Sequence, residues 1–497
     1  MKLYIGTTKG SGAMGHSLDK AARKPSYPVV VTLAAGAIFL SILDATVANL
    51  AVTDMRDSFP DASVTDLTWV ISLYAIVFAA FLAPAGRLAD VLGRRRLYII
   101  GMGLFTATSL LCALAPGLPV LLVARALQGL GAAAMIPASL AVVLADVTPQ
   151  RRGAAIGLWS AAASAAAAAG PILGGVLIDA VGWRSVFFIN VPLGLALLAG
   201  IKVVRVPERT THGLPDVFGT LFLAAGTALV VLGVTQGQEW QWADPRVLGC
   251  FAGGLVLLAL ALLRARTHPR PAIQTRLWRS RVFALANLVS FFFGAALYAW
   301  LLVGALFLVD VWGYSRMAAG LSMSPGAVLS ALVAVLVGRS LSRRCPHLVV
   351  FFGTSALVGA ALWLALTLSS HAALWSMWIP VGLLAGAGIG AVSTGLSSAA
   401  ALSVEPADFA GATGLNMAVR QIGGALGIAV LAAILPAQTS SSPTPYSHVV
   451  FFICATAAVA GLLGLGLASR RGRPRPDTAP STPVAAAAPV AGKGVEL

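Results

Sequence analysis

The sequence predicts an all-α integral membrane protein with 14 transmembrane helices. Three observations lead to this fold class. Hydrophobic residues make up 58% of the 497 residues and charged residues only 10%, whereas about a quarter of a typical soluble domain is charged. The apolar residues form stretches long enough to cross a bilayer. The basic residues fall almost entirely on alternate connections between those stretches.

The remaining composition excludes several other classes of protein. The formal charge of +16 would suit a soluble nucleic-acid-binding protein, but such a protein needs a charged, solvated surface. A disordered chain needs low hydrophobicity. The 4 cysteines and 6 histidines are scattered without CxxC or HExxH spacing, so we predict no disulfide framework and no metal site. We expect no nucleic-acid partner.

The spans follow from counting apolar stretches of about 20 residues, the length needed to cross a hydrocarbon core of roughly 30 Å. They are predicted, in order, at Val29–Ala51, Leu67–Ala85, Leu97–Ala115, Leu118–Leu144, Ala154–Ile178, Val186–Val204, Val217–Gln236, Val247–Leu263, Val282–Leu308, Ala318–Val337, Leu348–Leu368, Leu374–Leu396, Ala412–Leu435 and His448–Ala468. The longest connection between spans is too short to hold a soluble domain.

A weak internal repeat suggests how the spans are grouped. The loop Val147–Leu158 aligns with the loop Val404–Leu415, with identical residues at five positions. The alignment works if two parallel six-helix halves flank an inserted pair, and transporters with parallel halves hold substrate near the midplane. The predicted domains are a cytoplasmic tail (1–28), a first half (29–204), an inserted pair (217–265), a second half (282–468) and a disordered cytoplasmic tail (469–497).

The positive charge gives an orientation. An even number of spans puts both termini on one side, and 28 of the 34 basic residues lie on that side. The positive-inside rule therefore places both termini in the cytoplasm. A lipid-binding polybasic patch is the alternative interpretation, but the charges are spread over seven segments.

Three charged residues lie well inside predicted spans, where a charge costs roughly 2.5–3.5 kcal/mol. They are Asp44 in span 1, Arg125 in span 4 and Arg420 in span 13. Asp44 and Arg125 have comparable depths, so an ion pair or a shared polar cavity is possible. Gln128 shares a helix face with Arg125, and Asn416 shares one with Arg420.

Two interpretations of these charges stay open. A central cavity with a titratable carboxylate could load and release a proton when the contact between Asp44 and Arg125 changes. Alternatively, the polar residues only hydrogen-bond neighbouring helices together.

Span 5 contains Gly170-Pro171 followed by Gly174-Gly175. Proline removes an amide donor, and glycines allow close helix contact and bending. This pattern is compatible with a gating role and equally with a kinked packing seam.

The short connection after span 2 contains Gly86, Asp90, Gly93 and Arg94. A carboxylate in such a loop can bind a helix N-terminus or an arginine of the other half. The alternative is an ordinary basic cytoplasmic loop.

The motifs that carry a family resemblance are, in chain order, Leu43-Asp44-x-Thr46-x2-Asn49, Gly86-x3-Asp90-x2-Gly93-Arg94-Arg95, Arg125-x2-Gln128-Gly129, Gly170-Pro171-x2-Gly174-Gly175, Trp183-Arg184-x2-Phe187-x-Ile189-Asn190 and Asn416-x3-Arg420-Gln421-x-Gly423-Gly424. In this order on fourteen spans they resemble the major facilitator superfamily, and within it the fourteen-helix drug:proton antiporters.

The resemblance implies a proton-coupled secondary active exporter of hydrophobic or amphipathic small molecules, such as drugs or antibiotics, that works by alternating access. It implies no enzymatic activity and no cofactor, with the proton gradient as the energy source. The residues implied in proton or substrate coupling are Asp44, Asn49, Arg125, Gln128, Asn416 and Arg420. Those implied in the conformational switch are Gly86, Asp90, Gly93, Arg94, Gly170, Pro171, Gly174 and Gly175.

The expected partners are a small-molecule substrate, protons and the lipid bilayer, and we expect a monomer. The excess of Arg over Lys suggests a GC-rich bacterial genome, hence the inner membrane of a bacterium. Span 10 lacks the acidic residue that the resemblance implies for exporters of dications, and the nearest is Asp310 at the end of span 9, so a neutral or monovalent substrate fits better. A facilitator or importer of a metabolite is the alternative. A membrane enzyme or sensor would need a catalytic cluster or a soluble domain, and neither is apparent.

Overall fold

The computed structural model describes residues 27–52, 54–202, 204, 216–340, 345–435 and 443–468. All regular structure in these residues is helical. The predicted tails, 1–28 and 469–497, lie outside the described residues except for Tyr27 and Pro28, which begin the first helix.

Sixteen α-helices are present in the described part of the chain. They are α1 (Tyr27–Ala51), α2 (Met55–Ser58), α3 (Val64–Leu92), α4 (Arg94–Ala113), α5 (Leu118–Asp146), α6 (Arg152–Val181), α7 (Ser185–Phe188), α8 (Asn190–Ile201), α9 (Val217–Trp240), α10 (Pro245–Thr267), α11 (Arg281–Leu306), α12 (Arg316–Ser340), α13 (Pro346–Thr367), α14 (Ile379–Leu402), α15 (Phe409–Ile434) and α16 (Thr444–Leu465). A π-helical turn, Phe307–Val311, extends α11, and another, Leu374–Trp378, leads into α14.

Thirteen helical segments among the described residues are long and apolar enough to cross a membrane, which makes the chain a multi-pass membrane protein. The prediction of fourteen long spans differs at the sixth, Val186–Val204. There the chain forms two short helices, α7 and α8, which meet at Ile189. Pro192 lies in the first turn of α8, where its missing amide hydrogen is tolerated, and this favours a new helix start.

Capping groups and one glycine fix the ends of α3. The Ser63 hydroxyl accepts a hydrogen bond from the Asp66 amide at 3.1 Å, and the Asp66 carboxylate accepts one from the Ser63 amide at 3.0 Å. This reciprocal pair satisfies two amides of the first turn. At the other end Gly93 has φ of 107°, a value that L side chains rarely adopt, so the glycine allows α3 to end and α4 to begin at once.

Two apolar cores divide the structure. Most of one is formed by residues from α1 to α8, which we call the N-terminal bundle, and the other by residues from α11 to α16, the C-terminal bundle. The helices α9 and α10 pack against each other, and α9 also packs on α3 of the first bundle and α15 of the second. The pair therefore lies where the bundles meet.

An ion pair joins the start of α9 to the end of α10. Arg264 Nε donates to Asp216 Oδ1 at 2.5 Å, and the Gly219 amide donates to the same oxygen at 2.9 Å. Burial raises the pKa of Asp216, but these hydrogen bonds outweigh it and hold the pKa below its ordinary value. Asp216 thus remains charged, caps α9 and joins it to α10.

Glycines let the helices approach closely. A Cβ on Gly101 of α4 would lie 2.6 Å from the Met135 amide nitrogen and 2.8 Å from the Gly131 carbonyl oxygen, both on α5. Two residues further along α4, a Cβ on Gly103 would meet nothing within 4 Å. The two positions on one helix therefore differ in packing but share the same intrinsic propensity.

We expect Gly101→Ala to lower the apparent melting temperature in detergent, because overpacking against backbone costs roughly 1–3 kcal/mol. Gly103→Ala is the matched control and should leave the melting temperature unchanged or raise it, because Ala favours helix over Gly by about 1 kcal/mol. Tryptophan fluorescence during a thermal scan measures both. Equal effects of the two substitutions would contradict the packing described for Gly101.

Candidate functional site

The N-terminal bundle contains a buried ion pair. Asp44 of α1 is 2% exposed and Arg125 of α5 is 1% exposed. Arg125 Nη1 donates to Asp44 Oδ2 at 2.7 Å. The structure thus brings together two residues that the sequence placed only at comparable depth.

Two amides complete the surroundings of the carboxylate. Gln128 Nε2 donates to Asp44 Oδ1 at 2.9 Å, and Asn190 Nδ2 donates to the same oxygen at 2.7 Å. Gln128 also donates to Ser109 and accepts from Arg125, each at 2.7 Å. Helices α1, α4, α5 and α8 therefore contribute to one network of hydrogen bonds.

The guanidinium of Arg125 is held independently of the carboxylate. Its Nε donates to the Val70 carbonyl at 2.8 Å. The rings of Tyr74 and Phe187 lie 4.4 and 5.4 Å from its central carbon, distances at which cation–π attraction operates. Arg125 therefore has favourable partners besides Asp44.

Several members of this network were not predicted from the sequence as site residues. Asn190 lies in the motif that begins at Trp183, which was its only signal. Ser109 and Tyr74 sit in apolar spans without a distinguishing pattern. Their roles depend on how α3 and α4 pack against α5, which no local pattern encodes.

Asn49 is not among the residues that bond to Asp44, and its predicted part in coupling stays a prediction. It is exposed on α1, and its side chain makes no hydrogen bond in the described part of the chain. Five residues separate it from Asp44, which is about 140° of rotation on an α-helix. The two side chains therefore point in different directions.

A second polar cluster lies between α11 and α15 in the C-terminal bundle. Asn416 Nδ2 donates to Ser290 Oγ at 2.8 Å and to Asn287 Oδ1 at 3.4 Å. Arg420 Nη2 donates to Asn416 Oδ1 at 3.4 Å. Asn416 and Arg420 are thus together, as their shared face predicts, but away from Asp44.

At the predicted cytoplasmic ends, Asp90 of α3 binds the start of α15. Its carboxylate accepts hydrogen bonds from the amides of Gly411 at 2.7 Å and Ala410 at 3.3 Å. A carboxylate at a helix N-terminus gains from the free amides and the helix dipole. Arg94 donates to Asp90 at 3.0 Å and also to the Pro406 carbonyl, so Asp90 and Arg94 both connect the bundles.

Gly86 permits this contact. A Cβ there would lie 2.4 Å from the Ala410 carbonyl oxygen. Gly93 contributes through its φ of 107°, which directs α4 away from α3. Gly86, Asp90 and Arg94 therefore lie where the two bundles touch, and the structure places Gly86 and Asp90 in the last turns of α3 and not in a loop.

The segment after α10 also connects the bundles, which was not predicted. Arg87 Nε donates to the Pro271 carbonyl at 3.2 Å. Asp408 accepts hydrogen bonds from Gln274 at 2.9 Å and from Arg276 at 2.6 Å. Because the loop before α15 and the connection after α10 lie more than 130 residues apart in the sequence, no local pattern predicts that they pair.

The glycines and proline of α6 pack against two other helices. A Cβ on Gly170 would lie 2.1 Å from Thr46 Oγ1 of α1, and one on Gly174 would lie 2.9 Å from Leu50 of α1. Pro171 and Gly175 face α12, where they adjoin Gly320 and Met317 respectively. The motif lies at the contact of α6 with both α1 and α12.

Known proteins resemble this chain in sequence and in fold. The sequence profile of the Major Facilitator Superfamily matches residues 34–428. The multidrug resistance protein Stp of Mycobacterium tuberculosis is 36% identical over 416 residues, which are 82% of this chain and 76% of the relative. The methylenomycin A resistance protein of Streptomyces coelicolor is 32% identical over 477 residues, which are 95% of this chain and 98% of the relative.

A solved structure agrees at the level of the fold. The human organic anion transporter MFSD10 superposes with a TM-score of 0.62 and 16% identity, covering 89% of this chain and 100% of that one. The fold is therefore shared by transporters of very different sequence.

The buried pair can be tested by its energetics. We expect Asp44→Leu and Arg125→Leu each to destabilise the protein by about 3–5 kcal/mol, because each leaves an unpaired buried charge. The double variant should lose less stability than the sum of the two single losses, since it removes both charges. Apparent melting temperatures in detergent measure the three variants.

Asp179→Leu, at an exposed position of α6, is the control and should change stability by no more than about 0.5 kcal/mol. Additive losses in the double variant would contradict the direct pairing of Asp44 and Arg125.

Proposed function

Because the chain belongs to the Major Facilitator Superfamily, we propose that it is a proton-coupled secondary active exporter of hydrophobic or amphipathic small molecules, including antibiotics. It is a multi-pass membrane transporter and not an enzyme. The names of the bacterial relatives, which refer to resistance to several drugs and to methylenomycin A, support efflux as the direction of transport.

The observation that carries proton coupling is the buried carboxylate of Asp44. It is the one acidic side chain within the apolar core of the N-terminal bundle that is paired with an intramembrane arginine among the described residues. Protonation of Asp44 removes its attraction to Arg125, while the guanidinium keeps its bonds to Val70 and its contact with Tyr74. A proton taken up from outside would thus loosen α1 from α5 and be released when the pair reforms.

Alternating access supplies the coupling between this proton and the substrate. The two bundles contact each other at their cytoplasmic ends through Asp90 and the amides of Gly411 and Ala410. Opening toward the cytoplasm would require these bonds to break. The glycines and Pro171 of α6, which adjoin α1 and α12, lie where the bundles would then move relative to each other.

The orientation and location form part of the proposal. The distribution of basic residues supports cytoplasmic termini, and the bacterial relatives support the inner membrane. We propose that the protein acts as a monomer, takes its energy from the proton gradient and uses no cofactor.

Efflux from a drug-sensitive bacterial host tests the proton coupling. Cells that produce the protein should accumulate less of at least one compound in a chemically diverse drug panel, and a protonophore should abolish the difference. We expect Asp44→Asn to reduce efflux to the level of cells lacking the protein, because the amide keeps the shape of the carboxylate but cannot be protonated in the same way.

Asp179→Asn removes a carboxylate from an exposed position of α6 and should leave efflux unchanged. Protonophore-insensitive efflux, or full activity of Asp44→Asn, would overturn the coupling.

The cytoplasmic contact can be tested separately. We expect Asp90→Asn to slow transport without changing the substrate concentration at half-maximal rate, because a neutral amide loses the charge–dipole attraction of about 0.3–2 kcal/mol. Spin labels at positions 92 and 405, both exposed, measure the distance between the bundles when the four native cysteines are replaced.

In Asp90→Asn the distance distribution should shift toward larger values, whereas Asp179→Asn should not alter it. An unchanged distribution together with an unchanged transport rate would show that Asp90 does not stabilise the closed cytoplasmic side.

A further inference from the structure

Arg420 is an intramembrane cation without a counterion. Its Nη2 donates one long hydrogen bond, of 3.4 Å, to Asn416, and its Nε is buried without an acceptor. Among the residues that the structure describes, Arg420 forms no ion pair. Arg125, by contrast, has a carboxylate, an amide oxygen and a backbone carbonyl as acceptors.

The neighbours of Arg420 hold it in place without neutralising it. Asn416 uses its amide nitrogen on Ser290 at 2.8 Å, which leaves its oxygen toward the guanidinium. The ring of Phe293 lies 5.7 Å from the guanidinium carbon and covers one face of the plane. The N–H edge is therefore the part of the group that remains available for further hydrogen bonds.

Arg420 lies toward the meeting of the two bundles. Its helix, α15, packs on α3 and α5 of the N-terminal bundle. Tyr298 donates a hydrogen bond to Gln421, next to Arg420. Arg420 is partly exposed although its Nε is buried, whereas Arg125 is 1% exposed.

The charge balance indicates what would bind there. Asp44 and Arg125 neutralise each other, so Arg420 leaves this interior with one uncompensated positive charge. Such a charge is energetically costly within a membrane. A monoanion with two oxygens, such as a carboxylate, would restore neutrality and accept two parallel N–H bonds from the guanidinium edge. A cation would be repelled.

We propose that Arg420 is the subsite for the anionic group of the exported compound, and that the compound is an amphipathic carboxylate. The proposal rests on the function proposed above and specifies its substrate class. Asp44 then carries the proton and Arg420 the substrate charge, each in a different bundle. A compound whose carboxylate is replaced by an amide loses the interaction with Arg420 while keeping its apolar part.

Binding of a matched probe pair tests the proposal. The probes are the fluorescent carboxylate 1-pyrenebutyrate and its uncharged amide 1-pyrenebutyramide, titrated into the full-length protein in lipid nanodiscs and followed by fluorescence anisotropy. We expect wild type to prefer the carboxylate by at least about tenfold, or about 1.4 kcal/mol. Arg420→Gln should remove this preference, because it should weaken binding of the carboxylate probe while the affinity for the amide probe changes by less than about twofold.

Two further variants serve as controls. Arg420→Lys keeps the charge but loses the paired N–H geometry, so it should retain part of the preference. Arg281→Gln removes an exposed basic residue at the start of α11 and should leave both affinities unchanged. Melting temperatures of all variants establish that they are folded.

The outcomes separate this proposal from the function it rests on. If wild type shows no preference for the carboxylate, or if Arg420→Gln keeps the wild-type preference, the anion subsite is wrong, even where protonophore-sensitive efflux of a drug in the panel persists. If wild type shows no protonophore-sensitive efflux of any compound, the exporter function fails, whatever the binding preference. Loss of the preference in Arg420→Gln, with partial retention in Arg420→Lys, supports the subsite.

Discussion

The arrangement of the N-terminal bundle depends on the cost of burying the Asp44–Arg125 pair. Removing two charges from water costs several kcal/mol for each ion, and their attraction compensates only when the remaining polar atoms are also bonded. The partners therefore have to come from the surrounding helices. The side-chain amides of Gln128 on α5 and Asn190 on α8 donate hydrogen bonds to the carboxylate. The Val70 carbonyl of α3 accepts one from the guanidinium. A shift of any of these helices would leave a buried polar atom without its partner.

The contrast between the two intramembrane arginines follows from the same cost. Arg125 is enclosed because its partners saturate it, and its charge is balanced within the fold. Arg420 has the Phe293 ring nearby and a single amide oxygen as acceptor. Binding of a further hydrogen-bond acceptor would therefore lower the free energy of the buried guanidinium. A saturated arginine is suited to hold a titratable carboxylate, and an unsaturated one is suited to bind and release a ligand. The intramembrane arginines of the two bundles thus differ in how fully their N–H groups are bonded.

Much of the fold could be predicted from the sequence, because apolar length and alternating charge are local properties that a membrane enforces directly. The exception, the sixth span, is short because the chain begins a new helix at Asn190, a break that apolar composition does not reveal. Within the site, Asp44, Arg125 and Gln128 stood out because charge and amide groups are rare in spans. Asn190 belongs to the motif that begins at Trp183, yet its contact with Asp44 depends on tertiary packing. The same motif logic does not specify a helix face, and Asn49 lies on a different face of α1 from Asp44.

The helix pair α9–α10 is bound to both bundles, and this limits how they can separate. Helix α9 packs on α3 and α15, and the segment after α10 bonds Arg87 on one side and Asp408 on the other. These bonds lie beside the contact of Asp90 with α15. If the ends of α3 and α15 beside this segment moved apart, the segment could keep both sets of partners only by changing shape. Without such a change, the separation would break either the bond to Pro271 or the ion pair of Arg276 with Asp408, and the inserted pair would remain with one bundle.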